Sequence, residues 1–114
     1  MTAPIDCQII GRWRIVGADL WERDYLDLVG PATFIVATNG RGEITFGALQ
    51  AGFDIGYSRT IIHFTWRGFD EMDEVAGTGS AELLDDGALE IEFIFDQGDE
   101  AILTAVRDSF SAAC

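Results

Sequence analysis

Hydrophobic and polar residues alternate with a period of two over most of this chain. The cleanest stretch is 88–95, ALEIEFIF, where Leu89, Ile91, Phe93 and Phe95 fall on one side and Glu90, Glu92 and Ile94 on the other. Successive strand side chains point to opposite faces, so this pattern predicts a strand packed on one face. The stretch 7–17 reads the same way, with Ile9, Gly11, Trp13 and Ile15 opposed to Gln8, Arg12 and Arg14. Further strands are predicted over 32–38, 43–50, 53–58, 60–69, 75–84 and 100–107, which makes eight.

Turn chemistry separates them. Asn39-Gly40-Arg41-Gly42 and Asp85-Asp86-Gly87 supply residues that tolerate positive φ. Ala51-Gly52, Ser58-Arg59 and Gln97-Gly98-Asp99 are expected to turn the chain, and 70–74 is expected to be an acidic loop. Only 18–31 breaks the period. There Trp21, Tyr25 and Leu28 recur at helical spacing, Asp19 and Glu22 form a capping-box-like pair, and Gly30-Pro31 ends the run. One short helix is predicted at about 20–28.

Short connections make consecutive strands antiparallel neighbours. Eight such strands, with 13 glycines available for curvature, are better closed than left with open edges. The expected fold is therefore all-β: one domain over 1–114, an eight-stranded antiparallel up-and-down barrel with a short helix after the first strand. An open, strongly curved sheet that dimerises is the alternative.

Composition narrows the function. Twenty acidic residues against seven basic give a net charge of −13. Such a surface repels phosphate backbones and anionic lipid, so nucleic acid and membrane surfaces are poor partners, whereas neutral or cationic ones are tolerated. No stretch approaches the ~20 apolar residues of a membrane span, and 1–10 lacks a signal-peptide pattern; the cytoplasm is the expected setting. Cys7 and Cys114 could meet where a barrel closes, but two reduced thiols fit that setting better. No Cys/His ligand spacing is present, so neither metal nor cofactor is expected.

Gly11-Arg12-Trp13 on a first strand, followed by a short helical turn and a meander, resembles the calycin superfamily and lipocalins in particular. The resemblance implies that Trp13 closes the barrel floor and that Arg107, at the end of the last strand, packs across it as a cation–π partner. The segment 64–95 also resembles small bacterial proteins of unknown function that carry a similar Trp-x-Gly-x-Asp-Glu-Met-Asp-Glu stretch. That likeness brings no activity with it.

Candidate catalytic groups are sparse. His63, the single histidine, alternates with Phe64 and Trp66 and should point outward; no nucleophile motif accompanies it. Asp70, Glu71, Asp73 and Glu74 lack the spacing of a calcium loop. Glu82, Glu90 and Glu92 read as a wet outer face rather than a glycosidase pair. Gly77-Thr78-Gly79-Ser80 lacks the lysine of a phosphate loop. No catalytic residue is assigned, and an enzyme is the least favoured class.

The inner face collects Trp13, Phe46, Phe53, Tyr57, Phe64, Trp66, Phe93 and Phe95, opposite a small-residue wall at Gly77, Gly79 and Ala81. Eight strands leave room to fill the interior or to hold one small ligand. The first expected function is thus binding of a small apolar or aromatic molecule by Trp13, Phe46, Tyr57, Phe64, Trp66, Phe93 and Arg107, with Tyr57 and Arg107 as polar handles. The second is a filled structural or interaction module. It would work through the acidic loop and apolar residues of outward parity: Ile35, Leu49, Ile61, Leu84, Ile94, Ile102 and Val106. Either the 20–28 helix or a second subunit would cover that patch, with a two-fold homodimer the commonest solution.

Overall fold

The computed structural model describes residues 8–19, 30–70, 72–96 and 98–107. The helix predicted at 20–28 and both cysteines lie outside them. The described residues form eight strands: β1 Gly11–Ala18, β2 Thr33–Val36, β3 Arg41–Phe46, β4 Leu49–Tyr57, β5 Ile61–Asp70, β6 Asp73–Leu83, β7 Leu89–Phe95 and β8 Glu100–Arg107. Each pairs antiparallel with the next, and β8 returns to β1, closing the barrel.

The seam between β1 and β8 carries one irregularity. Ile15 faces Ala105 while Gly17 faces Thr104, so Val16 is an extra residue on β1. A bulge of this kind bends its strand and sharpens the local twist, which helps a small barrel close. Just past it, the Asp19 carboxylate accepts a hydrogen bond from the Ile102 amide at 2.8 Å.

Two turn assignments change. Ala51-Gly52 does not turn the chain: both residues lie within β4, paired with Ile44 and Glu43. The turn is at Gly47-Ala48, where Gly47 takes φ 56°, a left-handed conformation that costs glycine no steric penalty. The shift moves Leu49 from the expected outer face to the core, where it is 2% exposed. The acidic stretch 70–74 is not an open loop either. Asp70 and Asp73 pair with each other, which leaves only 71–72 between the strands.

Alternation then sorts the side chains as expected. Ile62, Phe64 and Trp66 of β5, Leu89, Ile91, Phe93 and Phe95 of β7, and Ala101, Leu103 and Ala105 of β8 are buried. One end of the barrel is closed by residues 8–10. The Gln8 amide donates to the Arg59 carbonyl across from the β1–β8 seam (2.9 Å), and Ile9 between them is fully buried. Removing rings and aliphatic chains of this size from water contributes about 1.5–3 kcal/mol each.

Candidate functional site

The seven predicted ligand-binding residues separate into two groups. Trp13, Phe46, Phe64, Trp66 and Phe93 are all buried in the core. Trp66 stacks on Phe93 with centroids 4.3 Å apart, and Phe93 meets Phe46 edge-on at 5.5 Å. Phe64 lies 4.8 Å from Phe53, which stacks on Phe34 at 5.0 Å. Offset and edge-to-face pairs of this kind add about 0.5–1.5 kcal/mol beyond area burial.

The small wall has a specific use. Gly77 is the cross-strand partner of Trp66, and Gly79 of Phe64. A Cβ on Gly77 would stand 2.8 Å from the Trp66 ring, and one on Gly79 would stand 2.5 Å from Phe64. The rings, together with the backbone carbonyls of Ile94 and Glu92 on β7, occupy the space that the missing side chains leave. Gly42 stands in the same relation to the Phe53 ring.

The polar atoms of this interior are engaged. The Trp66 indole donates to the carbonyls of Thr78 and Ile94, each at 3.1 Å, and the Trp13 indole donates to Ile9 at 2.8 Å. Among the described residues no buried side-chain nitrogen or oxygen lacks a hydrogen-bond partner.

Tyr57 and Arg107 sit away from the ring cluster. The Tyr57 hydroxyl donates to the Ala37 carbonyl and accepts from the Gly40 amide, so it pins the β2–β3 turn onto β4. Arg107 lies over Trp13 with its guanidinium carbon 4.2 Å from the ring centroid, the contact that the resemblance implied. It also donates to the carbonyls of Ile10 and Gln8, each at 2.6 Å. Arg107 thus ties the last strand to the segment that closes the barrel end.

The outer surface offers the concave space. An open groove of about 910 Å³ crosses the outside of β3–β6, over Gly52, Thr65, Ala76 and Thr78. Arg41 and Asp54 flank it at 3.9 Å, both well exposed, a pairing that contributes little in water.

His63 faces outward, directly opposite Ser80, and Ser80 is directly opposite Glu92. That row puts the serine in the middle, whereas a nucleophile–base–orienter chain needs the imidazole there. Among the described residues no set of three or more His, Cys, Asp or Glu side chains is placed to hold a metal.

The outside of β6–β8 differs in charge. Glu82 stands directly opposite Glu90, Glu92 faces Ile102, and Glu100 faces Ile94. Ile102 and Val106 are 37% and 41% exposed, and Ile94 is half-buried. Sequence reasoning identified Ile94, Ile102, Glu82, Glu90 and Glu92, but not Glu100. It put Glu90, Glu92 and Ile94 on one face of their strand but did not find their partners across β6 and β8, because cross-strand pairing depends on where each turn falls.

Comparison with known proteins finds no matching family model, no matching curated protein and no matching solved structure. The class defined by the fold is a small closed antiparallel β-barrel of eight strands. No described helix is long and apolar enough to cross a membrane.

Proposed function

We propose that this protein is a non-enzymatic interaction module, a filled calycin-like barrel that works from its outer surface. The observation that carries the reading is the seating of Trp66 and Phe64 across Gly77 and Gly79. Those glycines are where an interior ligand would find space, and two rings already lie there. The contact of Arg107 with Trp13 at the barrel end supports the calycin kinship. Tyr57 and Arg107, the expected polar handles of an interior site, are both bonded to backbone. The cytoplasmic setting expected from the sequence is part of the proposal, and cell fractionation tests it.

Native mass spectrometry of freshly purified protein tests the central claim. The expected spectrum shows folded protein at the mass of the chain or of a whole multiple of it. An additional mass of a few hundred daltons, lost on denaturation, would return the protein to the class of interior carriers. The same spectrum reads the homodimer expected from the sequence.

A further inference from the structure

We infer that the outer face of β7 and β8 is a docking surface for a cationic protein segment, with Ile94 and Ile102 as its apolar anchor. The inference rests on the interaction-module reading and names the partner's chemistry. Ile94 and Ile102 are diagonal neighbours on adjacent strands, since Ile94 pairs with Glu100 and Ile102 with Glu92. Diagonal neighbours on one sheet face are within reach of each other's side chains. The two isoleucines therefore form one apolar spot bordered by Glu92 and Glu100.

The charges nearest that spot have one sign. The ionisable outward positions of β6, β7 and β8 are Glu74, Glu82, Glu90, Glu92 and Glu100, and none is basic. Basic outward residues stand on the bordering strands, Arg14 of β1 opposite Val106 and Arg67 of β5 opposite Ala76. Glu82 and Glu90 are directly opposed, an arrangement unfavourable in the free protein. A cation placed between them relieves it. The outside of β3–β5 differs, because Arg41, Arg67 and His63 are mixed there with Glu43 and Asp54.

Charge also selects among occupants. A second copy would bring the same glutamates against each other, on chains that each carry −13. Nucleic acid and anionic lipid are repelled by the same sign. A lysine- or arginine-rich segment is attracted, and steering by a one-signed face raises its association rate in low salt. Glu90 and Glu92 lie two residues apart on one strand, roughly 7 Å. That spacing matches basic residues at alternate positions of an extended chain, with aliphatic residues between them to meet the isoleucines.

The test uses two synthetic ten-residue peptides, one alternating lysine with leucine and one alternating glutamate with leucine. Binding to the full chain is measured by fluorescence anisotropy in low and in physiological salt. Three variants are compared, each first checked for an unchanged melting profile: Glu90→Gln with Glu92→Gln, Ile102→Ser, and Glu43→Gln with Asp54→Asn on the other face.

The basic peptide should bind and the acidic one should not. The Glu90/Glu92 pair and the Ile102 change should each weaken binding about fivefold or more, while the Glu43/Asp54 pair leaves it within about twofold. Equal losses from both charge pairs would mean that only net charge attracts the peptide, and would overturn the proposal. A wild-type dimer that Ile102→Ser dissolves would also overturn it, by giving the face to a second copy. An interior ligand mass would instead sink the interaction-module reading, and it is read separately from peptide binding.

Discussion

On β6 and β7 the inward positions interlock and the outward positions repel. Facing in, Gly77 and Gly79 accept the rings of Trp66 and Phe64, and Phe93 stacks on Trp66. Facing out on the same strands, Glu82 opposes Glu90, and Ile94 stands half-buried beside Glu92 and Glu100. The same backbone hydrogen bonds serve both faces, so the difference lies in the side chains alone. Natural sequences settle their cores strictly because packing defects there cost several kcal/mol. A surface position costs little either way, so an outer row of one charge with apolar residues inside it is compatible with folding while leaving a face unsatisfied.

The largest break in this comparison should come from the inside. Phe93→Ala removes the ring that meets Trp66, Phe46 and Phe95, and denaturant unfolding should show a loss of about 3–5 kcal/mol. Gly79→Ala is the smaller chemical change. Its Cβ meets both the Phe64 ring and the Glu92 backbone carbonyl oxygen at 2.5 Å, and overpacking of this kind should cost about 1–3 kcal/mol. A neutral result would mean that the interior has room to spare, which would reopen ligand binding there.

At the barrel end, Arg107→Ala removes the contact over Trp13 and two backbone hydrogen bonds. A loss of about 1–2 kcal/mol is expected, read by the melting temperature and by a shift in Trp13 emission. The smallest effect has the opposite sign. Glu90→Gln removes the cross-strand repulsion from Glu82 and should stabilise by a few tenths of a kcal/mol in low salt. That gain should shrink as added salt screens the pair.

Strand order and the inward set were legible because alternation on β5, β7 and β8 is nearly unbroken. The turn at Gly47-Ala48 was not, because Ala51-Gly52 carries an equally good local signal and only the ladder with β3 decides between them. Glycine has two uses that a single sequence does not distinguish. At Gly47 it bends the chain, and at Gly77 and Gly79 it leaves space for a neighbouring ring. The second use leaves the sequence open, since a small wall facing large residues suits a cavity or a filled interior until register lays each ring over its glycine. Parity turns Tyr57 inward. Its hydroxyl reaches the β2–β3 turn, a long-range contact that no local pattern encodes.

The seam between β1 and β8 also bears on how the protein is made. Arg107 bonds to carbonyls 97 and 99 residues earlier in the chain, so the barrel cannot close until β8 has left the ribosome. Seven strands can form a curved sheet before then, with β1 and β7 as open edges. Contacts this distant in sequence slow folding, because loop-closure entropy must be overcome before they form. The waiting edges carry Arg12 and Arg14 on β1 and Glu90 and Glu92 on β7, so like edges of two nascent chains repel each other while unlike edges attract. Until β8 pairs with both edges, the unlike pairing of two chains competes with closure, and the last strand ends that competition by occupying both edges at once.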